Sequence, residues 1–171
     1  MLGLLERVDE IKAWLFGSGE SDLILSYDSD KKYIAQVVNT IDFKTVFKSV
    51  IKFPIIFNCY PFKYEVENTL IEVTTSGSTI TNPGSIESEP ILSVYGIGDI
   101  TLKINGNAIN LIAIKDKLII NSQIEDCYDD ATNSLNEKMV GEFPILKIGA
   151  SIIEWTGSVS KIEVLPNWRW L

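Results

Sequence analysis

The dipeptide Asn105-Gly106 limits what this chain can fold into more than any other feature of it. Asn-Gly favours a two-residue type I′ turn, because both central positions need positive φ, and that turn joins antiparallel strands. Residues 100–104 (Ile-Thr-Leu-Lys-Ile) lead into it and residues 107–111 (Asn-Ala-Ile-Asn-Leu) lead out. The turn sets the register: Ile104 faces Asn107, Leu102 faces Ile109 and Ile100 faces Leu111. Two apolar pairs then share one face, while Thr101 with Asn110 and Lys103 with Ala108 share the other. Turn chemistry and binary pattern agree, so the expectation is an antiparallel β protein over this stretch.

The surrounding sequence extends that expectation. Residues 89–95, 117–122, 151–155 and 159–165 are strand-like runs separated by polar turns, the last two flanking Thr156-Gly157-Ser158 as a second hairpin. Gly96-Ile97-Gly98 lacks the third glycine and following helix of a phosphate loop and reads as a turn between strands. The whole predicts an antiparallel sandwich or barrel.

The first part of the chain opens differently. Leu4, Val8, Ile11 and Leu15 recur at helical spacing, predicting an amphipathic helix over residues 4–16 that ends at Gly17 and docks on a sheet. Strands follow at Asp22–Tyr27 and Lys32–Thr40, with a turn at Asp28-Ser29-Asp30, then within 43–59 and at 69–74. Pro61 cannot donate to a ladder and marks a strand end or edge. Thr74 to Pro90 is rich in Ser, Thr, Gly and Pro, as a connector is, although its middle, Ser78–Thr81, has strand character. The expected division is 1–75 and 76–171, and the fold class is mainly β with one N-terminal helix.

Composition narrows the function. There is no histidine, which removes Ser-His-Asp and Cys-His catalysis, the usual zinc sites and the commonest general base. The net charge of -8, with no basic stripe, argues against nucleic acid and anionic membrane surfaces. No apolar run approaches the ~20 residues of a membrane span, and no signal-peptide core is present, so folding in a cytoplasm is expected. For Cys59 and Cys127, the only cysteines, neutral thiols are favoured over a disulfide. Asp126, Asp129 and Asp130 are dense in oxygen but lack EF-hand spacing and read as a solvated loop. Glu6, Asp9 and Glu10 read as a solvated helix face, not an acid–base pair. No catalytic group, cofactor site or metal site is expected, and the chain does not read as an enzyme. Trp155, Trp168 and Trp170 are the candidate binding residues. They serve either as core or interface anchors or as a sugar-stacking platform, which would make the second part a carbohydrate-binding module.

Several phrases in order resemble the distal tail protein family of long-tailed phages. They begin with Lys12-Ala13-Trp14-Leu15, Leu23-Ile24-Leu25-Ser26-Tyr27-Asp28 and Lys32-Tyr33-Ile34-Ala35, then Phe57-Asn58-Cys59-Tyr60-Pro61-Phe62-Lys63-Tyr64. Asn82-Pro83-Gly84-Ser85, Pro90-Ile91-Leu92-Ser93-Val94-Tyr95-Gly96, the Asn105-Gly106 hairpin and the Phe143-Pro144 to Gly149 stretch continue the series. Trp155-Thr156-Gly157 and Pro166-Asn167-Trp168-Arg169 close it. The resemblance implies an N-terminal ring-forming (belt) domain and a C-terminal galectin-like β-sandwich. It implies a hexameric hub between tail tube and tail tip or receptor-binding proteins, located in the virion tail and assembled in the bacterial cytoplasm. Members open with several tens of residues, including strands, ahead of the helix; this sequence starts at the helix, so a ring-forming domain without those strands is expected.

Overall fold

The structure is a computed structural model that describes residues 4–17, 19–38, 44–47 and 50–171. The chain packs as two compact units, Met1–Val66 and Glu67–Leu171. The expected fold class is the one found: one N-terminal helix, antiparallel sheets, and a sandwich in the second unit.

The first unit opens with α1 (Leu4–Gly17), which buries Val8 and Leu15 and half-buries Ile11, the apolar stripe its spacing predicts. The helix runs through Gly17, and the left-handed residue is Gly19, at φ +61°. Strands β1 (Ser21–Leu25), β2 (Asp28–Val37) and β5 (Phe57–Glu65) pair antiparallel in the order β1-β2-β5, and β3 (Lys44–Phe47) pairs β4 (Val50–Lys52). Two expectations shift here. The first turn falls at Ser26–Tyr27, two residues early, and Asp28-Ser29-Asp30 open β2 instead. Pro61 lies inside β5, where the register against β2 slips between Tyr33 and Ala35. A bulge there leaves residues without ladder partners, so a missing N–H costs nothing. The end of the run expected at Lys32–Thr40 lies outside the described residues.

The second unit comprises β6 (Ile71–Val73), β7 (Ser78–Asn82), β8 (Ile91–Ile104), β9 (Asn107–Ile114), β10 (Lys117–Asn121), β11 (Asp126–Tyr128), β12 (Met139–Val140), β13 (Gly149–Leu165) and β14 (Arg169–Trp170). Thr74 to Pro90 lies within it, with Ser78–Asn82 as β7 paired to β13. Its spine is the antiparallel pair β8–β13, 14 and 17 residues long. Each is shared by two leaves. The first halves of β8 and last of β13 carry β10 and β6 on their flanks, with β11 beyond β10. The opposite halves carry β9 and β7, with β12 beyond β9. Alternate residues of both leaves point into one core: Leu92, Val94, Leu118, Ile120, Ile162 and Val164 from the first, Leu102, Ile104, Ile109, Leu111 and Ile153 from the second. Most of these are fully buried, and each such side chain contributes about 1.5–3 kcal/mol.

The Asn105-Gly106 hairpin forms in the predicted register, with φ of +52° and +84° at the turn. The two other glycine turns do not form. Gly96-Ile97-Gly98 lies inside β8, and Thr156-Gly157-Ser158 inside β13, so each expected strand pair is one continuous strand. The glycines permit a bend where the ribbon passes from one leaf to the other. The register slips at Thr156/Ser158, Val159/Lys161 and Gly98/Ile100. A Cβ on Gly96 would lie 2.4 Å from the Ser158 carbonyl oxygen, and Gly157 holds φ +103°. Glycine reads locally as a turn, but across a paired strand it makes a bulge.

Candidate functional site

Neither the tryptophans nor the acidic loop gathers into a reactive cluster. Trp168 is buried in the core of the second unit, and Trp155 and Trp170 are half-buried against it. Arg169 between the last two is buried as well. Its Nε and Nη2 donate to the Glu87 carbonyl at 3.1 and 2.9 Å, and its guanidinium pairs with the Glu89 carboxylate. Asp129 spends its carboxylate within its own loop, accepting from the Ala131 and Asn133 amides and the Asn133 side chain. These bonds, the Asn133 side chain first, hold its carboxyl below the usual range. Asp126 accepts from Asn136, and Asp130 pairs with Lys117. Among the described residues no group of three or more His, Cys, Asp or Glu could hold a metal ion, and no helix is long and apolar enough to cross a membrane. Both cysteines are free thiols, Cys59 exposed and Cys127 buried.

Two surfaces stand out instead. The first unit leaves large apolar side chains in the open: Trp14 is 73% exposed, and Phe16, Ile24, Ile56, Phe57 and Tyr60 are also exposed. Beside Trp14 lies a groove of about 250 Å³ floored by Leu15, Leu23, Ala35, Val37 and Phe57. Trp14 and Phe57 share this groove with buried and half-buried apolar neighbours, and a contiguous apolar patch of this kind commonly marks an interaction site. Charge is unevenly divided too. Residues 1–66 hold nine acids against eight bases, a balance of -1, and residues 67–171 hold fourteen against seven, a balance of -7.

The second surface is a hollow of about 90 Å³ at the hairpin end of the sandwich, lined by Glu87, Asn105, Asn107, Glu142 and Lys147 around Phe143. Hydrogen bonds fix part of the backbone around it. The Asn105 amide donates to Ile152 O, its Oδ1 accepts from the Ile152 amide, and its Nδ2 donates to Ser151, so the hairpin tip is tied to β13. Arg169 grips the Glu87 carbonyl. Ser88 and Leu146 exchange two backbone hydrogen bonds at 3.0 Å, and the buried Asn82 side chain donates to Leu146 O. Sequence reasoning missed this hollow, because its residues come from three separate segments and each of its polar residues alone reads as a solvated position.

No protein-family model matches the chain, and no curated protein does. Its structure is similar to the crystal structure of the phage SPP1 Dit protein (gp 19.1), described as a paradigm of the hub adsorption apparatus in phages infecting Gram-positive bacteria. The likeness has a TM-score of 0.76 at 14% identity and covers 98% of this chain and 72% of that one. At this identity the likeness is one of fold.

Proposed function

We propose that this chain is a structural component of a phage tail, a distal hub or adaptor that joins the tail tube to the tail tip or receptor-binding apparatus. The observation that carries the reading is the shared fold with a hub protein over nearly the whole chain, through both units. In this reading the protein acts by assembly in the virion and not by turnover. The first unit is part of a ring-forming element, repeated head to tail in a closed ring of six copies. Its exposed Trp14, Phe16, Ile56 and Phe57 supply apolar area for neighbouring copies, and its near-neutral charge lets identical surfaces meet without repulsion. The second unit's charge of -7 per copy keeps neighbouring sandwiches apart. Trp155, half-buried at the margin of the core, is an anchor available to a neighbour there.

Sedimentation velocity tests this reading, on the chain alone and mixed with the tail-tube protein made by the same phage. The expected result is a closed oligomer, or a complex with the tube protein, that dissociates when Phe57 and Trp14 are replaced by Ser. A chain that stays monomeric at high concentration and ignores tube and tip proteins would sink the proposal.

A further inference from the structure

We propose that the hollow beside the Asn105-Gly106 turn is a binding site for one neutral sugar ring, which goes beyond the hub reading and does not depend on it. Four side chains at its rim, Glu87, Asn107, Glu142 and Lys147, have no partner among the described residues. Other exposed charges of the sandwich, Lys103, Lys115 and Glu154 among them, are likewise unpaired, and what sets these four apart is that they line one hollow. The floor is apolar, made by Ile104, Ile109, Phe143 and Pro144. Two carboxylates, an amide and an ammonium around an apolar floor present acceptors and donors at the edge and a C–H-accepting ring below. That is the complement of a pyranose, which carries hydroxyls on its rim and C–H groups on its face.

Other ligand chemistries fit less well. An anion would meet Glu87 and Glu142. A hydrocarbon would strip water from four polar groups and give them nothing in return. The backbone frame of the site is built before any ligand arrives, because Arg169, Asn82 and Asn105 tie it through the hydrogen bonds described above, and the ordering lost on binding is that of the exposed rim side chains. Its size is well under the ~300 Å³ of an ordinary ligand pocket, which predicts millimolar affinity for one copy. Repetition around an assembly would raise that by effective concentration.

Saturation-transfer NMR on the full chain tests the site, with millimolar methyl β-glucopyranoside, methyl β-galactopyranoside and methyl β-N-acetylglucosaminide as probes. At least one should receive saturation, with perturbed Phe143 ring resonances. Asn107→Ala and Glu142→Gln should each weaken binding about tenfold, as loss of a hydrogen bond to a polar or charged group does. Both side chains are exposed, so the fold survives, which an unchanged amide spectrum away from the site confirms. Glu154→Gln, on the outer face of β13, should change nothing. No saturation of any probe, or binding indifferent to both rim variants, overturns the proposal while leaving the hub reading standing.

Discussion

Asn105 shows how much one side chain decides in this sandwich. It adopts the positive φ that the turn demands, and its side chain then continues the ladder onto β13 through Ile152 and Ser151. Glycine would keep the conformation and lose both side-chain bonds; aspartate would lose the donor to Ser151. Cys127 is the opposite case, a residue whose chemistry is suppressed. It is fully buried, its Sγ lies 3.0 Å from the Met139 Sδ, and burial, helped by Asp126, pushes the thiol up to about 12. An unfolded thiol ionises near ~8.5, so between those values the unfolded chain has lost a proton that the folded chain keeps. Stability is therefore unaffected by this group below about pH 8.5 and falls as pH climbs from there towards 12. Cys127→Ala should flatten that alkaline slope in chemical denaturation. An aromatic disulfide reagent at pH 8 should label the exposed Cys59 quickly and Cys127 only on unfolding. Equal labelling rates for the two would contradict the burial.

The long strands β8 and β13 carry the sandwich, and their continuity rests on the glycine bend. Gly157 holds φ +103°, and a Cβ there would lie 2.6 Å from the Asp99 carbonyl oxygen. Gly157→Val should therefore cost about 2–4 kcal/mol, from left-handed strain and a backbone clash together. Val at the nearby, exposed Ser160, which already carries a Cβ, should cost far less. Thermal denaturation of the two variants side by side checks this, and equal melting temperatures would remove the bend from the account. The same elements show why sequence reading succeeded at one turn and failed at two. Asn-Gly has a conformation dictated by its own residues, so register followed from residues 100–111 alone. Gly96-Ile97-Gly98 and Thr156-Gly157-Ser158 look like turns by composition. They are bulges because each faces the other across a pair set more than fifty residues apart. The helix face at Val8, Ile11 and Leu15 was equally local and equally readable. The hollow was not, since Glu87, Asn107 and Glu142 meet only after the sandwich closes. Trp168 and Trp170 alternate as strand residues do, but Asn167, at φ +53°, turns the chain just before them and sends Trp168 into the core.

The two units differ in how much of their stability is their own. The second holds a continuous core of buried Leu, Ile and Val side chains joined by the β8–β13 ribbon. Among the described side chains of the first, only Val8, Leu15 and Ala35 are buried apolar residues, while larger ones lie open. Burial of apolar area is the main favourable term in folding, and a segment with so little of it opens at low free-energy cost. Hydrogen exchange should therefore be biphasic along the isolated chain. Amides of β8, β10 and β13 should exchange slowest, at rates set by global unfolding, and those of β1, β2 and β5 faster by orders of magnitude. If the first unit is the assembling element, the slow pattern should spread to β1, β2 and β5 when the chain is incorporated into an oligomer, because the open apolar side chains then lose their water to a neighbour. The sandwich amides should hardly change, being limited by their own core. Protection gained in the sandwich and not in the first unit would reverse the assignment, making the acidic unit the one that holds the particle together.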